Sequence, residues 1–306
     1  MDPKKKSLRT RGMQKEGMVE KLTTSELLLY IPILLVVLVV AFCSLIPLYH
    51  VLMSSFSDGK VLLGHSGVLW KPAGQASLDA YRKLFQDTSL LKGYGNTLIY
   101  VFGATFFSML INVTGGYVLS RDTKLKSFLT VFVMITAIFH GGLIPSYVVV
   151  KSLGWIGTRW ALLIPGCTNA FFVVLMVAGF REIPKETIDA ARIDGADDWR
   201  LMWSVMLPQA MPMATIIIMN SMIFQWNSWF TASIYITTQR DLWPLQLWIR
   251  QLVAENAGFL MSPNADYTSY IVQFALIVIA TFPVLMAMPF FIEKMEQSVV
   301  LGAVKG

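Results

Sequence analysis

Charge is what this sequence has least of. Only 14% of its 306 residues are Asp, Glu, Lys or Arg, where a soluble domain carries about 25%. Hydrophobic residues make up 55%, and the mean hydropathy is +0.58. Charge is absent altogether from 27–57, 93–120, 127–150, 160–180, 201–239 and 267–292. Each run reaches the roughly 20 residues a helix needs to cross a hydrocarbon core. A soluble protein with six such buried segments would need far more polar covering than this chain supplies. The expected fold class is an all-α membrane protein with six transmembrane helices.

Histidine and cysteine are nearly as rare, with three and two copies. Cys43 and Cys167 fall inside apolar runs and read as buried fillers, not as a disulfide or metal pair. His50, His65 and His140 are scattered and form no H-E-x-x-H pattern, so no metal ligand and no catalytic residue is assigned. The phosphate-loop pattern is missing too, since Gly59-Lys60 is followed by valine in an expected external turn. Asn112-Val-Thr114 matches a glycosylation sequon by chance, at membrane depth. This chain is expected to bind no nucleotide, and another chain must supply energy for any driven process. An intramembrane enzyme or ion channel would need ionisable groups within the spans, which contain only His50 and His140. The first apolar run is also too long for a signal-peptide core of about 7–15 residues. Bulky Phe42 before Cys43 argues against a lipoprotein site, and an uncleaved first span is expected.

Orientation follows from the cations between the runs. Six crossings put both termini on one side. That side collects sixteen of the 25 Lys and Arg residues, including Lys4–Lys6, Arg121, Lys124, Lys126, Arg181, Lys185, Arg192 and Arg200. It is therefore expected to be cytoplasmic. The net charge of +6 reads as topology and attraction to anionic lipid, with no nucleic-acid partner needed. The expected organisation is a basic arm at 1–25, a six-span domain at 26–295 containing a cytoplasmic loop at 182–206, and a tail at 296–306.

One charged stretch interrupts the apolar pattern, DAARIDGADDWRLMWSVMLP from Asp189 to Pro208. Pro184 suits a first helical position, with Glu186 and Asp189 following. Gly195 suits a left-handed helix stop, and Asp197 or Asp198 the cap of a second helix. In that helix Trp199, Met202, Trp203 and Met206 recur at i, i+3, i+4 and i+7, one face. Pro208 and Pro212 mark the start of the fifth span, expected to continue directly from this helix. By physics alone the stretch could equally be a helical hairpin lying at the headgroups.

The residues of this stretch resemble a known signature. E-A-A-x3-G-x9-I-x-L-P marks the membrane subunits of bacterial ABC importers, and the chain reads Asp189-Ala190-Ala191, Gly195 and Val205-Met206-Leu207-Pro208. SFSDG at 55–59, NTLIYVFGAT at 96–105, QWNSWF at 225–230 and LGAVKG at 301–306 are similar to the oligosaccharide branch, which includes the maltose permeases. The resemblance covers nearly everything after the basic arm. It implies a type I ABC importer permease fold in the bacterial cytoplasmic membrane, with a cytoplasmic coupling helix that docks into a cleft on an ATP-binding subunit. Glu186, Asp189, Ala190, Ala191, Asp194 and Gly195 would form that contact. Asp189 stands where the signature has Glu, which keeps the charge and shortens its reach. The implied partners are a second, similar permease subunit, two ATPase subunits carrying ATP and Mg, and an extracytoplasmic solute-binding protein.

The substrate is read from the fifth span. Sugars are held by aromatic stacking and by hydrogen bonds to hydroxyls. Asn220, Gln225, Trp226, Asn227 and Trp229 supply that mixture. Tyr94, Tyr100, Asn112 and Tyr117 on the second span are weaker candidates. Each of these residues has an alternative use as interhelical glue or as an interface anchor. Residues 58–92 and 240–266 exceed simple turns and would either face the binding protein or pack over the bundle mouth. The function expected is a permease subunit for oligosaccharide uptake, the alternative an importer of peptides or amino acids.

Overall fold

The computed structural model describes residues 24–303 except His140, Thr168 and 260–266. Every described element is helical. In order they are α1 (Thr24–Ser55), α2 (Gly59–Gly64), α3 (Asp79–Gln86), α4 (Thr88–Ser120), α5 (Lys126–Ile138), α6 (Leu143–Ser152), α7 (Trp160–Leu163), α8 (Ala170–Arg181) and α9 (Lys185–Ile193). There follow α10 (Asp198–Arg200), a π-helical turn (Leu201–Met206), α11 (Leu207–Gln209), α12 (Met211–Trp226), α13 (Phe230–Tyr235), a 3-10 turn (Arg240–Leu242), α14 (Leu245–Phe259) and α15 (Tyr267–Ala303). Two compact units divide at His50, and α1 runs from one into the other. Of the expected arm at 1–25 and tail at 296–306, residues 1–23 and 304–306 lie outside the described residues.

Three of the six apolar runs are uninterrupted helices able to cross a bilayer, at Tyr30–Ser55, Thr88–Ser120 and Tyr270–Ile292. The other three are broken, each for a local reason. The run 127–150 bends by 116° between α5 and α6, where Gly142 takes a φ of +82° that L side chains avoid. The run 160–180 stops after α7 at Pro165-Gly166 and restarts on Asn169, whose side chain accepts from the Phe172 N–H at 3.0 Å. At 12 residues, α8 spans only about 18 Å, short of the roughly 30 Å core. The third, 201–239, has an elbow of 85° between the arms Asp198–Gln209 and Met211–Trp226. Pro212 has no N–H to give, and its ring would strike the carbonyl of Pro208 in a continuous helix. The fifth span is thus not a straight extension of the helix before it.

α4 runs through all three hydrophobic clusters of the larger unit. Leu90 packs with Leu245 and Leu276, Tyr100 and Ala104 with Leu162 and Ile236, and Val113 with Met176 and Ile217. Small residues let its neighbours close in. A Cβ on Gly116 would lie 2.7 Å from Met176 Cγ, and one on Gly93 would lie 2.7 Å from Trp248 Cδ1. Cys167 is buried as expected, whereas Cys43 is exposed on α1; neither forms a disulfide. A thiol remains an apolar filler on a helix face that meets lipid, so exposure there carries little cost.

The segment 240–248 packs over one end of α4 through polar contacts. The Asn96 amide donates to the carbonyls of Asp241 (2.7 Å) and Trp243 (3.2 Å) and accepts from Arg159 (2.9 Å). Tyr100 donates to Leu242 O at 2.7 Å, and the Leu245 N–H donates to Thr97 Oγ1 at 2.8 Å. Asn96→Leu strips this buried hub and leaves Arg159 without its acceptor. We expect a loss of about 2–4 kcal/mol, read as a lowered thermal transition of the detergent-purified protein with no change in helix content.

Candidate functional site

The charged stretch folds as two helices around a glycine corner. Pro184 is the N-cap of α9 in an extended conformation (φ −57°, ψ 138°), one position before the place expected for it. α9 ends in a Schellman motif. The Ala196 N–H donates to Ala191 O and the Gly195 N–H to Arg192 O, both at 3.0 Å. Gly195 has the left-handed φ of +82° that this ending needs. Asp197 then caps the next helix by accepting from the Arg200 N–H at 2.8 Å.

Ile188 is buried and Ala191 half-buried against the Met176–Phe180 cluster, which anchors one side of α9. Glu186, Asp189, Ala190, Asp194 and Gly195 are exposed. Glu186 and Asp189 make no ion pair among the described residues. Beside Ala190, at i+3, Ile193 is 86% exposed. This outer face therefore presents small and branched apolar surface rimmed by carboxylates, a composition suited to a second protein. Asp189 also borders a cleft of about 870 Å³ whose rim carries Arg121, Lys126, Arg181, Lys185 and Arg192.

The second helix keeps most of the expected face, with Met202 and Met206 buried and Trp203 half-buried. Trp199 is 63% exposed, while Leu201, Met202 and Met206 are buried. A π-helical turn spans Leu201–Met206. Its i to i+5 bonding sets Leu201 beside Met206 in the buried face, while the Trp199 ring, at the exposed end, still meets the Trp203 ring at 5.8 Å.

Asp198, weighed in the sequence only as a cap, instead bridges elements. It accepts from the Tyr117 hydroxyl of α4 at 2.6 Å and from Arg192 of α9 at 3.4 Å. The Tyr117 hydrogen bond, and then the Arg192 charge, hold its carboxyl below the usual carboxylate range. Any stability this lends is present above the unfolded carboxylate pKa and disappears only as pH falls through the lowered folded value. The contact is therefore constant near neutrality. Tyr117 and Asp198 are 81 positions apart, and no periodicity in the sequence connects them.

The five residues singled out on the fifth span do not share one surface. Gln225 and Trp226 are buried and engaged, Gln225 donating to Leu162 O at 2.9 Å and the Trp226 indole to Ala280 O at 3.1 Å. The Tyr94 ring meets Trp226 edge-on at 5.8 Å. Trp229 is half-buried under the Arg250 guanidinium, 3.8 Å above its ring centroid. Asn220 and Asn227 are exposed, seven positions apart on one face of α12, with exposed Phe224 between them. Each donates one amide hydrogen to the carbonyl four residues back, at 2.9 Å. A second amide hydrogen and the amide oxygen of each have no partner among the described residues. Next to this stripe Phe224, Gln225, Ser146, Thr231 and Tyr235 line a cleft of about 560 Å³. On α4, Asn112 is buried and donates to Ser108 O (2.7 Å) and Oγ (3.0 Å), and Ser108 Oγ meets Ser221 Oγ of α12 at 2.9 Å.

Known proteins resemble this chain in sequence and in fold. The polygalacturonan/rhamnogalacturonan transport system permease protein YtcP of Bacillus subtilis (strain 168) is 31% identical over 275 residues, 88% of this chain and 95% of its own length. The diacetylchitobiose uptake system permease protein NgcG of Streptomyces coelicolor is 29% identical over 84% of this chain and 83% of its own. A chain of the crystal structure of a bacterial ABC transporter that imports the acidic polysaccharide alginate superposes with a TM-score of 0.78. It is 26% identical, covering 89% of this chain and 98% of that one. The type I importer permease fold expected from the signature is therefore the fold observed, a multi-pass membrane fold that hydrolyses no ATP itself. Residues 22–301 match the binding-protein-dependent transport system inner membrane component, and the chain belongs to that family.

Proposed function

We propose that this chain is one half of an oligosaccharide-translocating pathway, paired with a second, similar permease subunit. The complex carries two ATPase subunits holding ATP and Mg, one of which docks on the Glu186–Gly195 face, and both termini lie on that cytoplasmic side. A solute-binding protein delivers sugar at the opposite end. ATP and the loaded binding protein together favour an outward-facing state, each by no more than its differential affinity for the two states, and hydrolysis resets it. The substrates named for the relatives, polygalacturonan, diacetylchitobiose and alginate, support a carbohydrate cargo.

The observation that carries the reading is the Asn220–Phe224–Asn227 stripe. Open amides are unfavourable against lipid and belong against a cavity or a partner. Amide and aromatic groups side by side suit sugar hydroxyls and C–H faces. Gln225 and Trp226 serve instead to hold α12 against its neighbours, and Trp229 contributes from the rim.

The test is uptake into proteoliposomes containing the complete complex, with ATP inside and the binding protein outside, using short oligogalacturonides, maltodextrins and a tripeptide as probes. Uptake of a saccharide but not the tripeptide is expected. Asn220→Leu with Asn227→Leu should lower saccharide uptake about tenfold or more, each lost hydrogen bond being worth about 1 kcal/mol, without loss of subunits. Tripeptide uptake alone would sink the proposal.

A further inference from the structure

We infer that the coupling segment acts on the second span, through the Tyr117–Asp198 contact, and reaches the fifth span by way of the second; this rests on the docking reading of α9. The chain itself offers a direct route from α9 into α12. That route is poorly suited to carry a push, because it passes through a π-helical turn and then an elbow of 85° at Ala210. A proline on each side of the elbow interrupts the hydrogen-bond ladder that makes a helix stiff.

The tertiary route is shorter. One carboxylate oxygen of Asp198 receives the Tyr117 hydroxyl at 2.6 Å and the Arg192 guanidinium at 3.4 Å. The last turn of α9, the start of α10 and the end of α4 therefore meet at a single atom. Arg121, just past α4, lies over the Tyr117 ring at 5.9 Å and closes the other side. From there α4 has little room to yield. Gly116, beside Tyr117, packs where a Cβ would lie 2.7 Å from Met176 Cγ and 2.8 Å from its Cβ. About a turn further along, Asn112 and Ser108 form a buried polar cluster joined to Ser221 of α12 at 2.9 Å. A displacement at Asp198 is thus handed to α4 by a hydrogen bond and from α4 to α12 by the serine pair. Tyr117 and Asp198 are positioning residues in this scheme, since each acts through the other and through α4. A contiguous contact chain becomes a coupling route only if breaking it changes the coupling.

The experiment uses the complete complex of this chain with its second permease subunit and ATPase subunits in nanodiscs, with the cognate binding protein as effector. The readout is the ratio of ATP hydrolysis with and without that protein. Tyr117→Phe removes one oxygen and leaves the ring packing in place. We expect the ratio to fall at least about fivefold while the ATPase subunits still copurify and the thermal transition stays put. Tyr117→Phe with Asp198→Ala should be no worse than the more impaired single variant, because both break one link. A wild-type ratio in Tyr117→Phe, or additive losses in the double variant, would overturn the inference. Loss of the ATPase subunits from Tyr117→Phe would overturn it as well, by making the contact part of docking. Failure of the docking reading itself shows separately, as wild-type chain that purifies without any ATPase subunit.

Discussion

Gly195→Trp is expected to abolish ATP-driven uptake while the chain still folds and inserts. A Cβ built at Gly195 meets no atom within 4 Å, so a side chain there starts into open space. The remaining intrinsic cost is the left-handed backbone, about 1–2 kcal/mol for a non-glycine residue, which a large membrane protein tolerates. Anything beyond that must come from a second protein seated on the corner. Gly154 supplies the control, since its φ is +69° and it too has nothing within 4 Å. Gly154→Trp carries the same backbone cost at a site away from α9. Copurification of the ATPase subunits with Gly195→Trp and Gly154→Trp separates the two effects. Loss of uptake at 195 alone is the expected result. Ala190→Arg, on the exposed face beside Ile193, should behave like Gly195→Trp. If both variants transport as wild type does, nothing docks on α9.

Gly116→Leu should prevent α4 from packing against α8. The added side chain overlaps the Met176 side chain and approaches a backbone carbon of that residue to 3.3 Å. Met176 is fully buried, so neither it nor its backbone can step aside. Overpacking of this kind costs about 3 kcal/mol or more. Fluorescence-detected size exclusion of a tagged chain should show loss of the monodisperse peak. The neighbouring position makes the comparison sharp. A Cβ at Gly115 would sit 3.4 Å from Val173 Cγ1, an ordinary van der Waals contact. Gly115→Ala should therefore leave the profile unchanged or raise the melting temperature slightly, since alanine favours the helix by up to about 1 kcal/mol. Equal behaviour of the two would mean that α4 and α8 are not packed as described.

The membrane class and the corner of the charged stretch could be read from sequence because each depends on neighbouring residues alone. Charge-free runs report partition into hydrocarbon, and Gly195 followed by Asp197 reports a helix stop and a cap within a few residues. Three kinds of feature could not be read that way. The broken runs at 139–142, 164–169 and 210 are as apolar as unbroken ones, so hydropathy alone does not register the bends. The π-helical turn at Leu201–Met206 adds Leu201 to the buried face, which a stripe judged at 3.6 residues per turn leaves out, and Trp199 at the end of that stripe is exposed. The polar residues of the fifth span looked like one set by type. Their division into an exposed stripe, Asn220 and Asn227, and an engaged pair, Gln225 and Trp226, depends on carbonyls of Leu162 and Ala280 that only folding brings near.

The amino-acid order by itself determined that the chain lives in a bilayer, where its cations gather, and where α9 must stop. Those outcomes follow from local partitioning and backbone preference. The fold alone decided which polar groups are spent on holding helices together and which stay open. It also decided that Tyr117 answers Asp198 across 81 residues. A hydrogen bond between distant segments leaves no periodic trace, because its energy depends on a distance that exists only once the helices have packed.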